Sequence, residues 1–354
     1  MRILLLCPLW LPVSQNSRGG IETLVAQLIP ALQKMGTHIT ISASGDSQTT
    51  AKLSSPISGN LADLMNKGSA FEYAYYEQRQ LQLALEQSAE FDLIHSHIGP
   101  GAYLFSNIPQ LHNRVLHTVH WPVHADLEWF VRQRPNLWFS TVSEFQARKL
   151  RNQGATRCHV VENGINVCEF TFRPEGGKRL VFIGRMERVK GPDIAVQAGR
   201  SLGYPLVLAG PIMDQEFFDR SIGPFLDENI RYIGAVNHRE KNELLGEAGC
   251  AVLPFRREEP FGLVVIEAMA CGTPVVALAN GSMSEIVEPG LTGYLARDEK
   301  EITELIPQAL KLDRAAIRRR VRERFDISIV AEKYCFLYSQ IAAGAGQCST
   351  GEPL

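Results

Sequence analysis

Two glutamates eight positions apart, Glu259 and Glu267, bracket the segment Glu-Pro-Phe-Gly-Leu-Val-Val-Ile-Glu. Phe261 and Gly262 open an apolar helical run just after a strand ending at Pro254. A helix N-terminus offers unpaired N–H groups and a partial positive charge, and a glycine there lets a ligand reach the backbone. Glu267 is flanked by Val264, Val265, Ile266, Ala268, Met269 and Ala270. A carboxylate in so apolar a helix needs a dedicated partner. The vicinal hydroxyls of a sugar are donors of the right kind. The competing reading is a surface glutamate that merely follows an apolar run.

A second cluster, Gly184-Arg-Met-Glu-Arg-Val-Lys190-Gly191, comes directly after the strand Leu180–Ile183. Arg185 and Lys190 are thus carried at a strand's carboxyl end, where a phosphate site is expected. A planar fork and a point charge both suit a pyrophosphate. By itself the cluster also fits a solvated basic loop. Third, Arg18-Gly19-Gly20-Ile21-Glu22 follows the first strand and opens the first helix. Its glycines admit a phosphate or sugar close to the backbone, or form a plain tight turn. It is not a G-x-G-x-x-G fingerprint, and G-x-x-x-x-G-K-[ST] does not occur.

His95 and His97 flank Ser96 at one strand end, and His117, His120 and His124 cluster around another. No H-E-x-x-H is present, no carboxylate sits at ligand spacing and D-x-D is lacking. No metal site is therefore expected. His120, at the carboxyl end of Arg114–Val119, is placed to hydrogen-bond a substrate hydroxyl or stabilise charge.

The elements that must position these groups alternate along 354 residues, a length that suggests two domains. In the first half, strands are expected at Ile3–Leu6, His38–Ser42, Asp92–His95, Arg114–Val119, Trp138–Val142 and His159–Val161. Helices are expected at Ile21–Met35 and Ser143–Asn152. The second half continues with strands Leu180–Ile183, Leu206–Ala209, Ile230–Ile233, Cys250–Pro254 and Pro274–Ala277. Between them fall helices Pro192–Leu202, Asn237–Ala248 and Gly262–Ala270, with terminal helices from about Lys300. Such alternation implies right-handed crossovers and parallel sheets covered on both faces. The cleanest break is Phe172–Lys178, and ligands are expected in a cleft between the domains at strand carboxyl ends. Ser44–Ala70, rich in Ser and Gly, is expected to be a long mobile loop.

Composition narrows the function. With 36 Lys+Arg against 38 Asp+Glu, the charge of -2 supplies no drive to bind nucleic acid. Apolar residues at 45% exclude disorder. Seven scattered cysteines (Cys7, Cys158, Cys168, Cys250, Cys271, Cys335, Cys348) contain no C-x-x-C pair, which fits a reducing cytoplasm. Pro8 and Pro12 interrupt the apolar N-terminus, which reads as a buried strand rather than a signal peptide. No run approaches a membrane span.

With these residues in view, the sequence resembles retaining glycosyltransferases of family 4, which have the GT-B fold. The resemblance runs through Gly19-Gly20, Ile94-His-Ser-His97, His117-Thr-Val-His120, Val142-Ser-Glu144 and Glu162-Asn-Gly-Ile-Asn166. It continues through Gly184-Arg185, Lys190-Gly191 and Leu208-Ala-Gly210. Its most specific block is Glu259-Pro-Phe-Gly-Leu263 followed by Glu267-Ala268 and Gly272-Thr-Pro-Val-Val276. Asn166, where members usually carry Asp, departs from the pattern, as do Glu162 in place of Pro and Gly281-Ser282 in place of Gly-Gly.

The resemblance implies an α/β GT-B fold, two Rossmann-like doubly wound domains facing across a cleft. Residues 1–172 would bind the acceptor, 173–325 the nucleotide sugar, and 326–354 would cross back to the first domain as a terminal helix and tail. Arg185 and Lys190 would hold the donor pyrophosphate, assisted by backbone N–H groups near Gly262, Leu263, Val264, Gly19 and Gly20. Phe261 would belong to the same donor-binding segment. Glu267 would accept hydrogen bonds from the ribose, Glu259 would contact the transferring sugar and His120 a sugar hydroxyl. A covalent role for Glu259 and a front-face reaction with the donor phosphate as base both fit.

The activity implied is retaining, metal-independent transfer of a hexose-type sugar from a nucleotide diphosphate donor, a UDP-sugar favoured, with no cofactor. The acceptor expected is a soluble small molecule or oligosaccharide rather than a lipid-linked glycan, since the first half has no strongly basic amphipathic helix. The alternatives are another GT-B enzyme (a sugar-nucleotide epimerase or a phosphorylase) and a non-catalytic nucleotide-sugar-binding protein.

Overall fold

A computed structural model describes residues 1–111 and 113–347, so Cys348 and the tail after it lie outside the described residues. The chain divides into two units, one of Met1–Asn163 with Ile327–Leu354 and the other of Gly164–Asp326.

The first unit begins with strand β1 (Arg2–Leu6), fully buried from Ile3 onward. It continues through helix α1 (Gly20–Lys34), β2 (His38–Ser42), β3 (Lys52–Ser54), α2 (Leu61–Asn66), α3 (Tyr73–Glu86) and β4 (Leu93–Ser96). Then come β5 (Val115–Val119), α4 (Ala125–Gln133), β6 (Trp138–Thr141), α5 (Glu144–Asn152) and β7 (Arg157–Val160). The seven strands are parallel in the order β3-β2-β1-β4-β5-β6-β7. Strands buried on both faces read as continuous apolar runs, as β1 does, because helices cover both sides of a parallel sheet.

The second unit holds β8 (Leu180–Ile183), α6 (Pro192–Leu202), β9 (Leu206–Ala209), α7 (Gln215–Ser221), β10 (Ile230–Tyr232) and α8 (His238–Glu247). It goes on with β11 (Cys250–Leu253), α9 (Leu263–Ala270), β12 (Val275–Leu278), α10 (Met283–Ile286), β13 (Gly293–Ala296), α11 (Glu299–Ala309) and α12 (Arg314–Phe325). Its parallel sheet has the order β10-β9-β8-β11-β12-β13. The last helix, α13 (Ile327–Gln347), belongs to the first unit. It lays Val330, Ala331, Tyr334, Tyr338 and Ile341 into the core that α1 shares with β1 and β2. Those positions recur at helical spacing, so one stripe faces inward.

In each sheet the strand order reverses once, between β1 and β4 and between β8 and β11. Loops diverging at such a switch point leave a crevice outside the carboxyl ends of the strands. The segments singled out for chemistry follow these strands: Arg18–Glu22 after β1, His97 after β4, Arg185–Lys190 after β8 and Glu259–Glu267 after β11.

Two expectations change. The Ser44–Ala70 stretch is not a mobile loop: it contains β3 and α2, and Leu61 and Ala70 pack with Leu9. Asn60 caps α2 by accepting from the Asp63 N–H at 2.9 Å and donates to Asp46 at 2.7 Å. The chain also divides at Asn163/Gly164, ahead of the Pro/Gly-rich Phe172–Lys178. Side chains of the second unit bind the intervening backbone: Asn242 donates to the Glu169 carbonyl, Arg318 to those of Val167 and Phe170, and Arg314 to that of Arg173. Composition marks a flexible loop, whereas these hydrogen bonds decide which unit owns the segment. Among the described residues, no helix is long and apolar enough to cross a membrane.

Candidate active site

In the second unit, Lys190 ends a short 3-10 turn and Gly191 follows at φ +73. A Cβ at Gly191 would lie 2.3 Å from the Pro254 carbonyl oxygen, so only glycine lets the turn pass this close to the end of β11. Arg256 clamps the turn. Its guanidinium makes two 2.7 Å bonds to Asp193 and one of 2.9 Å to the Arg188 carbonyl, and its N–H bonds the Val189 carbonyl. Thus held, Lys190 sets Nζ 2.6 Å from Oε2 of Glu259, over the Phe255 ring.

Buried Ser282 fixes the Glu259 loop from the other side. Its hydroxyl donates to the carbonyls of Glu259 and Phe261 at 3.0 and 3.1 Å. A Cβ at Gly281 would meet the Glu259 backbone at 2.6 Å. The sequence departure at Gly281-Ser282 therefore supports the loop that carries Glu259.

Gly262 precedes α9 at φ +87 with no side-chain cap. The first turn leaves N–H groups, those of Leu263 and Val264 among them, without intrahelical acceptors. Glu267, one turn on, is 4% exposed, and its Oε1 accepts from Lys241 Nζ on α8 at 2.5 Å. Its dedicated partner is a lysine. Phe261 turns inward, 2% exposed and edge-on to Phe325, so its ring is core and not a ligand surface. Arg185 is half-exposed and pairs with Glu187 at 2.8 Å rather than with the Lys190–Glu259 pair.

In the first unit, Gly19 and Gly20 begin α1 after the connection that follows β1. A Cβ at Gly19 would fall 1.9 Å from Oε2 of Glu22, which folds over the turn. Glu22 is 5% exposed, and burial pushes its carboxyl up to about 7. His120, just past β5, has Nε2 2.8 Å from Nδ1 of His97, and burial lowers its imidazole to about 3. The other histidines part company. His117 bonds Ser106 at 3.0 Å and packs edge-on to Tyr103, His95 is buried between Thr118 and Tyr338, and His124 lies exposed 3.6 Å from Asp126. Among the described residues, no group of three or more His, Cys, Asp or Glu side chains is arranged to hold a metal.

Lys241, Arg256, Ser282, Glu22 and His97 escaped assignment by spacing alone. For Glu22 the signal lay in its place one turn past Gly19-Gly20. Lys241 carries none, because it comes from a different helix.

Two parallel doubly wound sheets, each with its polar groups on the loops of the switch point, define the GT-B class of α/β protein. Residues 18–168 match Glycosyltransferase Family 4 and residues 169–325 match Glycosyl transferases group 1. The chain belongs to the family 4 glycosyltransferases. It is 32% identical over 244 residues to a Mycobacterium tuberculosis glycogen synthase, a stretch that is 64% of this chain and 58% of that protein. A phosphatidyl-myo-inositol mannosyltransferase of Mycobacterium leprae is 24% identical over 386 residues, covering 98% and 99% of the two chains. The solved sucrose-phosphate synthase of Thermosynechococcus elongatus is similar in fold, with a TM-score of 0.78 at 21% identity over 97% of this chain and 99% of that one.

Proposed function

We propose that the protein is a retaining, metal-independent glycosyltransferase moving a hexose-type sugar from a nucleotide diphosphate donor, a UDP-sugar favoured, to an acceptor hydroxyl in the cytoplasm. The observation that carries this reading is the Lys190–Glu259 pair standing beside the helix whose Glu267 is held by Lys241. Positive charge, open helix N–H groups and an anchored carboxylate match the diphosphate and ribose of one ligand. In the reaction the anomeric C–O bond breaks with its electron pair passing to the diphosphate. The acceptor oxygen forms the new bond, and its proton passes to a leaving phosphate oxygen. Lys190, Arg185 and the N–H groups of Leu263 and Val264 stabilise the charge that grows on that phosphate, a preorganised electrostatic effect. Glu259 contacts the transferring sugar, and Gly19, Gly20 and His120 serve the substrate side of the first unit. The acceptor favoured is a soluble small molecule or an oligosaccharide.

Calorimetry with UDP, GDP and ADP, followed by turnover of their sugars with a mixed acceptor panel, tests the reading. UDP binding with transfer at retained configuration supports it. Donor conversion without an acceptor would assign an epimerase, phosphate-dependent cleavage a phosphorylase, and binding without turnover a non-catalytic protein.

A further inference from the structure

Strands β4 and β5 are hydrogen-bonded neighbours, so the first residues past their carboxyl ends, His97 and His120, emerge side by side. Their rings stack with centroids 5.1 Å apart, and Nδ1 of His97 lies 2.8 Å from Nε2 of His120. One of these nitrogens carries the hydrogen and the other accepts it. Burial holds both imidazoles well below their usual range, so both are neutral near pH 7. Two neutral rings satisfy the bond in only two ways, and each leaves a different atom on the free side of His120.

The remaining nitrogen of His97 separates the two. Its Nε2 is buried and has no hydrogen-bond partner among the described residues. A hydrogen there would be a donor sealed away without an acceptor. A hydrogen on Nδ1 instead leaves only a bare lone pair at Nε2, and sealed donors are the rarer defect. The ring is also held in place. Its centroid lies 4.1 Å from that of His95 with the rings tilted by 40°, and His95 is bonded at both nitrogens, to the Tyr338 hydroxyl at 2.7 Å and the Thr118 hydroxyl at 2.6 Å. The His97 N–H is tied to the Leu6 carbonyl at 2.8 Å.

We propose that His97 is a positioning residue that donates from Nδ1 to Nε2 of His120, holding His120 as the Nδ1–H tautomer with a donor aimed at a substrate oxygen. The effect on turnover rests on the function proposed above, in which His120 meets a sugar hydroxyl. The tautomer itself does not.

Long-range proton–nitrogen NMR on the uniformly 15N-labelled full chain, without ligand, reads it directly. His120 should show a protonated-type Nδ1 and a bare-type Nε2. The reverse pattern overturns the proposal whether or not the protein transfers sugar. In turnover, His97→Phe keeps a ring against His95 but loses the donor, and kcat should fall on the order of 10- to 100-fold, the scale of losing a partner that orients a histidine. The donor KM should change less. His97→Asn places an amide N–H near the lost Nδ1–H and should recover most of the rate. A folded His97→Phe protein with wild-type kcat overturns the positioning role. If wild type transfers no sugar under any donor, the functional reading fails, and the NMR pattern still decides the tautomer.

Discussion

The Nζ of Lys241 lies 2.5 Å from Oε1 of Glu267 and ties helix α8 to helix α9 beneath the candidate donor site. The carboxylate is almost wholly buried, so the ammonium offsets a desolvation cost the apolar helix could not bear alone. The ammonium engages Oε1, and in the donor complex proposed above Oε2 is the oxygen that would meet the ribose hydroxyls.

Glu267→Ala should therefore weaken binding of UDP and of the UDP-sugar alike, by about 1.5–3 kcal/mol, the value of a hydrogen bond to a charged group. Lys241→Met should instead lower folding stability by about 1–3 kcal/mol, because it strands a buried carboxylate. Combining Lys241→Met with Glu267→Gln should regain part of that loss. Calorimetry and urea denaturation measure the two effects, and unchanged nucleotide affinity in folded Glu267→Ala would make Glu267 structural only.

In the reaction proposed above Lys190 would face charge that grows as the anomeric bond breaks, so it should matter more for rate than for donor affinity. Lys190→Ala should lower kcat on the order of 100-fold, as for loss of one preorganised charge stabiliser. Lys190→Arg should recover only part, because a planar fork does not fill a point-charge site packed against Phe255 and Glu259. Initial rates at saturating donor, beside calorimetric affinities, check this. Collapsed affinity with wild-type kcat would reduce Lys190 to an anchor.

Transfer should persist in excess chelator, since the phosphate charge is assigned to Arg185, Lys190 and helix N–H groups and the sequence has no D-x-D. Activity that is lost to chelator and restored by Mg2+ or Mn2+ would sink that assignment.

Glu22 sets a pH dependence of stability. Its folded pKa of about 7 lies above the ordinary glutamate value, so the folded state binds the proton more tightly than the unfolded chain. Stability from this group is full below the unfolded pKa and falls as pH rises through about 7. Glu22→Gln removes the penalty. Relative to wild type, the variant should gain about 2–3 kcal/mol between pH 5 and pH 8, read from urea midpoints. A constant difference across that range would show that the carboxyl is not held protonated.

The sequence by itself determined the alternation. Apolar runs such as Ile3–Leu6, Leu180–Ile183 and Cys250–Leu253 announce strands buried on both faces, and glycines 36, 154 and 203 end the helices before them. Short-range signals of this kind are written in neighbouring residues, and the loops bearing Arg185, Lys190 and Glu259 could be placed after strands on that basis. Elements with weaker patterns were not legible. Helix α3 buries only Gln80 and Ala84, and Gln80 earns its place through bonds to the carbonyls of Cys7 and Ser42, far away in sequence.

Only the tertiary structure decided partners. Lys190 and Glu259 are 69 positions apart and Lys241 and Glu267 are 26 apart, yet each pair meets within hydrogen-bond distance. The ownership of Gly164–Arg173 and the pairing of His97 with His120 were settled in the same way. The reason is that parallel strands adjacent in a sheet are separated by a whole crossover in the chain. Local pattern specifies each strand and each loop, and the sheet order chooses which loops stand together.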